Sequence, residues 1–173
     1  QTCALPISAQ EQLLADRPEH IVPWGERRPP VERDNPENRW GFDMRLPEQA
    51  AHLGELHNLT VRRGTLTEEE RFKINEHIVQ TIVMLSSLPF PPHLAKVPQI
   101  AGSHHERLDG TGYPRRLKAE QLSLTDRVMA LADIFEALTA SDRPYKPAMP
   151  LSTALALMAD MVRDQHLDKE LFR

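Results

Sequence analysis

The sequence predicts an all-α fold, a helical bundle preceded by an irregular arm. Three observations lead there. The 173 residues suit one domain with a core of its own. Aromatic residues make up only 5% of the chain, so that core must be built from Leu, Ala, Val, Ile and Met, which favours helices over a sandwich of sheets. Apolar residues recur at helical spacing behind capping residues in the second half, whereas six prolines crowd into Arg17–Pro47 and exclude a long helix there.

The elements follow in order. Gln10 to Ala15 reads as the tail of a helix. Arg17 to Pro47 carries many charges with Trp24, Trp40 and Phe42 interspersed. A disordered linker rarely keeps two tryptophans, so this stretch is expected to be an ordered arm anchored by its aromatics. Leu46 to Leu59 is a helix candidate, and Arg62-Arg63-Gly64 a turn. Thr67 and Glu70 form a capping box, and Phe72, Ile74, Ile78, Val79, Ile82, Val83 and Leu85 mark a helix from about Glu68 to Leu88. Pro89 to Pro92 ends it. A helix from about His93 to Ser103, bent near Pro98, would deliver His104-His105, and Leu122 to Leu124 would form a short turn.

Thr125 is the expected cap of the next helix. Val128, Met129, Leu131, Ala132, Ile134, Phe135 and Leu138 make it apolar nearly all round, which predicts a central, buried position. Asp133 and Glu136 share one of its faces. The loop Ser141 to Lys146 then brings Arg143 and Lys146 together, and Ser152 would cap a last helix through about Arg163. Met129, Met158 and Met161 fall at helical spacing and read as core. The expected division is an arm over residues 1–47 and a helical domain over 48–173.

Composition narrows the function. A net charge of −4 gives no basic face for general nucleic-acid binding. The single cysteine, Cys3, excludes a disulfide framework and fits a reducing cytoplasm. No apolar run reaches the length of a membrane span, and no secretory signal is legible. The segment Cys3 to Ser8 reads as translated adapter DNA rather than evolved protein, and the end at Leu171-Phe172-Arg173 as a cut helix. A longer parent protein is therefore expected.

The chemistry concentrates in His104–Pro114, HHERLDGTGYP. Two adjacent imidazoles can hold a transition metal. Gly110 and Gly112 allow a tight turn and a close approach to a ligand. Tyr113 offers a flat face and a hydroxyl, and Pro114 stiffens the exit. With His77 upstream and Asp133 downstream, the chain presents a His, His-His, Asp series suited to Zn, Mn or Fe. Arg143 and Lys146 could hold phosphate oxygens, the first through its planar fork and the second as a point charge.

At these residues the chain resembles the HD-GYP family, bacterial cyclic di-GMP phosphodiesterases within the all-helical HD superfamily. The matching pieces are Gly64 to Arg71 (GTLTEEER), His77, the HHERLDGTGYP run, and Ala130 to Lys146 (ALADIFEALTASDRPYK). The resemblance covers roughly Gly64 to Phe172. It implies an HD-superfamily bundle with His77, His104 and His105 as ligands of one metal and Asp133 of its neighbour. Gly112, Tyr113 and Pro114 would line the nucleotide pocket, and Arg143 and Lys146 would contact the substrate phosphates. Asp133, Arg143 and Lys146 would be the catalytic group around a metal-activated water. The implied cofactor is iron or manganese, with zinc as an alternative. The implied partners are a cyclic dinucleotide and a sensory or receiver domain in the parent protein, and a homodimer is compatible with both.

One departure bears on activity. The family takes its first two letters from an adjacent His-Asp pair followed closely by Lys, and this chain has no His-Asp dipeptide. Ungapped comparison puts Glu48-Gln49 there, with His52 at the Lys position. Glu48, His52, Glu55 and His57 are the nearby residues that could substitute. Without the bridging aspartate, one metal on three histidines is expected rather than two.

Two function classes therefore stand side by side: a cyclic di-GMP phosphodiesterase domain, and a non-catalytic module that binds cyclic di-GMP or a protein partner. A metal phosphohydrolase for another nucleotide is a third. Each residue also has a plainer reading. The histidines could be satisfied core residues and Asp133 a buried, hydrogen-bonded carboxylate. Tyr113 could simply wedge the loop, and Arg143 and Lys146 could pair with Asp142 and Glu136. His20, His52, His57, His93 and His166 read as ordinary histidines.

Overall fold

A computed structural model describes residues 15–62, 64–140 and 149–173. The described residues are mainly helical, as the sequence predicts. The elements are β1 (Ile21–Val22), β2 (Ala51–His52), α1 (Glu55–Leu59), α2 (Glu68–Ser86), α3 (Val97–Ala101), α4 (Leu124–Thr139) and α5 (Leu151–Arg163), with short 3-10 turns between them. No helix among them is long and apolar enough to cross a membrane. The chain forms two compact units, Gln1–Arg28 with Pro47–Ile74, and Pro29–Leu46 with Asn75–Arg173.

In the first unit β1 and β2 pair antiparallel, Ile21 opposite His52 and Val22 opposite Ala51. The helix expected over Leu46–Leu59 is thus replaced by an extended segment and a five-residue helix. Extended pairing claims Ala51 and His52, and α1 starts only after Gly54. Asp16 caps α1 from a distance, its two carboxylate oxygens accepting the N–H groups of Leu56 and His57 at 3.0 Å each. Trp24 packs edge-on against Phe72, ring centres 5.5 Å apart, and its indole N–H donates to Pro47 O at 2.9 Å, so it anchors as expected. The capping box is also present: Thr67 N–H donates to Glu70 Oε2 and Glu70 N–H to Thr67 Oγ1.

The second unit carries the chemistry. Val31, Phe42, Met44 and Leu46 are buried, so Pro29–Leu46 is a packed strap rather than a loose tail. The Asn38 side chain ties it internally, donating to the carbonyls of Glu32 and Phe42 and accepting the Phe42 N–H. On α2, Ile78, Val79 and Ile82 are buried. The expected second helix is shorter than His93–Ser103, a 3-10 turn at Pro92–Leu94 followed by α3, which begins at Val97 with Pro98 in its first turn.

The cap of α4 is Ser123 rather than Thr125: Asp126 sits three residues on, Ser123 Oγ accepts its N–H, and its carboxylate accepts the Ser123 N–H. Similarly, Pro150 rather than Ser152 precedes α5. α4 packs on α3 and α5, and Ala130, Met158 and Leu167 form a small core with Leu131, Ile134, Leu138, Met161, Val162 and Phe172 around it. The expectation of a fully buried α4 fails. Leu124, Val128, Met129 and Phe135 are exposed, because the described residues cover the helix on one side, and Met129 is no core residue. Arg127 fastens the C-terminal turn, donating to Asp168 Oδ2 at 2.9 Å, and this bond holds the Asp168 carboxyl below its usual range.

Candidate metal centre

Three histidines converge in the second unit. His77 projects from α2, and His104 and His105 follow the end of α3. Each offers a ring nitrogen, and the three nitrogens lie within 4.8 Å of one another. Glycine 102 brings the two elements this close. A Cβ there would lie 2.3 Å from Cγ1 of the buried Ile82 on α2, so only glycine lets the chain leave α3 against that helix.

The geometry suits ligation. His77 Nε2 and His105 Nε2 are 3.3 Å apart. Two ligand nitrogens about 2.1 Å from a tetrahedral metal would be about 3.4 Å apart. His104 Nδ1 lies 2.8 Å from Ala101 O. A carbonyl only accepts, so Nδ1 carries the proton and Nε2 keeps its lone pair, as in metal-bound histidines held by a backbone carbonyl. His105 is pushed down to about 4, chiefly by burial and then by the neighbouring His104, so it is neutral near pH 7. His77 is exposed and the other two half-buried, which is not the setting of core histidines. A divalent transition metal fits this donor set.

The GTGYP loop folds back on the histidines. Tyr113 N–H donates to His105 O at 3.2 Å, and the two rings stack with centres 4.7 Å apart and planes 21° from parallel. Gly112 is obligatory, since a Cβ would lie 2.4 Å from Arg107 N and 2.6 Å from His105 O. Pro114 is buried and follows a cis peptide bond. Its carbonyl accepts the N–H of Asp43 at 2.7 Å, so the strap braces the loop from behind. Tyr113 is pushed up to about 12 by burial and the Asp133 charge, and stays a hydroxyl donor at neutral pH.

Asp133, on α4, acts electrostatically on both His105 and Tyr113, but lies outside the set of three converging nitrogens. Arg143 and Lys146 fall outside the described residues. Glu48, His52, Glu55 and His57 belong to the first unit and the histidines to the second. There His57 Nε2 is 3.2 Å from Glu69 Oε2 and its ring stacks on His52, so it is already engaged.

Sequence reasoning gave no role to Glu106. It is 2% exposed, and its two oxygens accept the N–H groups of Arg115 at 2.7 Å and Leu117 at 2.9 Å. Burial raises its pKa despite these bonds. The signal available was its place beside His105, but the partners are backbone groups and leave no mark in the sequence.

With this geometry in hand, relatives become informative. The model of the HD domain family matches residues 8–171. The chain belongs to the HD domain family, and within that superfamily to its HD-GYP branch. It is 40% identical over 133 residues to the 3'3'-cGAMP-specific phosphodiesterase 3 of Vibrio cholerae, covering 77% of this chain and 28% of the relative. To a cyclic di-GMP phosphodiesterase of Pseudomonas aeruginosa it is 39% identical over 64% of this chain and 25% of the relative. To a cyclic di-GMP phosphodiesterase response regulator of Xanthomonas campestris it is 34% identical over 67% and 32%. The chain thus spans about a quarter to a third of the length of these curated relatives. HD domains are metal-dependent phosphohydrolases, in keeping with the donor set described above.

Proposed function

We propose that this chain is the phosphodiesterase domain of a larger bacterial signalling protein and that it hydrolyses a cyclic dinucleotide, cyclic di-GMP in the first instance. The observation that carries the reading is the convergence of His77, His104 and His105 within the sequence context of named cyclic-dinucleotide phosphodiesterases. The three imidazoles would hold one divalent metal, iron or manganese, with zinc as the alternative. When bound, such an ion lowers the pKa of water and neutralises charge on a phosphodiester.

The chain's own residues do the rest. The Ala101 carbonyl keeps His104 in the tautomer with a free Nε2. Burial keeps His105 neutral. Asp133 supplies a negative charge beside His105 and Tyr113, suited to orienting a nucleophilic water or completing a metal's ligands. Gly112 and Pro114 shape the loop so that the Tyr113 hydroxyl can meet the nucleotide, while one face of its ring is taken by His105. Arg143 and Lys146 would neutralise phosphate charge.

A second reading has its own observation. Glu48-Gln49 stands where the family has its His-Asp pair, which favours a module that binds a cyclic dinucleotide or a protein partner without cleaving it. Incubating the chain with manganese or iron(II) and either cyclic di-GMP or 3'3'-cGAMP separates the two. Linear dinucleotide above a metal-only control supports the enzyme. Binding by calorimetry without turnover supports the module.

A further inference from the structure

We propose that Glu106 is the positioning residue of this site. Its carboxylate gathers the backbone N–H groups of Arg115 and Leu117, and so holds the Tyr113 ring against His105 and His105 toward His77. This inference rests on reading the three histidines as a ligand set, and it concerns how the chain prepares them.

The geometry is specific. Glu106 directly follows His105, while Arg115 and Leu117 are the first and third residues after the GYP turn, so one carboxylate ties the two halves of the motif together. Both of its oxygens are engaged by N–H donors and the side chain is 2% exposed, so it is itself unavailable as a ligand. Between its two donors lies Arg116, whose φ of 55° is rare for a residue with a side chain. That curl turns both N–H groups toward one acceptor. A conformation of this kind persists only where its surroundings hold it, and the carboxylate is what both neighbouring amides meet. The held loop then has one place to go. Gly112 lies flush on the backbone of His105, Glu106 and Arg107, and Tyr113 stacks on His105.

The Arg115 side chain adds a charge beside this tie. Its charge is felt by Glu106 and by Asp126, the buried capping carboxylate of α4, although its Nε meets no hydrogen-bond partner among the described residues. Asp126 in turn accepts from Gln99 of α3 at 3.4 Å. Glu106 thereby shares an electrostatic environment with α4, which carries Asp133, while the Gln99–Asp126 bond links α4 to α3, which delivers the histidines.

The test uses the whole chain and three variants. Glu106→Gln keeps the shape but leaves one acceptor oxygen, and its NH2 then opposes a backbone N–H. Replacing Leu117 by its α-hydroxy acid removes a single N–H donor and leaves every side chain in place. Tyr113→Ala removes the stack directly. Two quantities are read: the NMR shifts of the His105 ring in the metal-free chain, and cobalt(II) affinity from its visible absorption. The expected result is that Glu106→Gln shifts His105 resonances in the same sense as Tyr113→Ala and weakens cobalt binding about 10-fold or more, the usual effect of losing an outer-shell partner. The ester changes both in the same direction by less. Unchanged His105 shifts and unchanged cobalt affinity in the ester or in Glu106→Gln overturn the proposal. Should Glu106→Gln not fold, the ester decides alone. A wild-type chain that takes up no cobalt defeats the metal reading instead, and the metal-free NMR comparison still decides the role of Glu106.

Discussion

His77 Nε2 and His105 Nε2 face each other at 3.3 Å, although the residues are 28 apart in sequence. One comes from α2 and the other from the loop after α3. Without a metal, one imidazole N–H can donate to the other ring. A metal held here would take a lone pair from each ring. Their separation is what joins two distant stretches of sequence into one centre.

Removing these rings should therefore remove the metal. His104→Ala combined with His105→Ala is expected to abolish uptake, and His77→Ala alone to weaken it beyond the ~10–100-fold cost of losing an outer-shell partner. Elemental analysis after gel filtration checks this. Wild-type metal content in the double variant would show that the ion sits elsewhere.

Acid should destabilise the metal-free chain. His105 falls from an ordinary value near 6.5 to about 4 on folding, and His166 is also lowered, chiefly by burial and then by Arg107. Between pH 6.5 and 4 the unfolded chain binds the His105 proton more readily than the folded one. Its contribution is full above 6.5 and lost as pH falls toward 4. Glu106, raised by burial, works in the opposite sense at the acid end. Urea midpoints from pH 8 to 5 should fall on acidification, and a replacement at His105 should flatten the slope. A midpoint that rises over this range would contradict the assignment.

Gly112→Ala should disturb the loop and the site together. Its Cβ would press on Arg107 N and His105 O. Overpacking of this kind costs about 1–3 kcal/mol. Thermal unfolding reads the loss of stability, and a metal titration the accompanying loss of affinity. Unaltered stability would mean that the loop stands off the His105–Arg107 backbone.

Tyr113→Phe and Tyr113→Ala separate ring from hydroxyl. The phenylalanine variant keeps the stack on His105 and should retain metal, while losing cyclic di-GMP affinity if the hydroxyl meets the nucleotide. The alanine variant should lose both. Calorimetry with each ligand gives the comparison, and nucleotide affinity unchanged in both variants would remove Tyr113 from the pocket.

The parts of the fold that were legible in the sequence depend on local rules. Thr67 and Glu70 make their box because three residues separate them, and the histidine pair announced itself by its neighbours in HHERLDGTGYP. Elsewhere two local rules compete. Ser123 and Thr125 both suit an N-cap, and Asp126 decides for Ser123 by returning its carboxylate. Long-range effects were the least visible. Extended pairing with Ile21–Val22 overrides the helical pattern at Ala51–His52. Among the described residues, an apolar α4 keeps Leu124, Val128, Met129 and Phe135 exposed. Gly102, which sets the approach of α3 to α2, and Glu106, whose partners are backbone amides, have meaning only once the chain has folded.

Metal stoichiometry is the most direct test of the centre built by His77, His104 and His105. Titrating the metal-depleted chain with manganese or iron(II) should give close to one equivalent bound, with none in the His104→Ala, His105→Ala variant. No uptake by the wild-type chain would contradict a metal centre at these histidines, and two equivalents would contradict a site of three histidines alone.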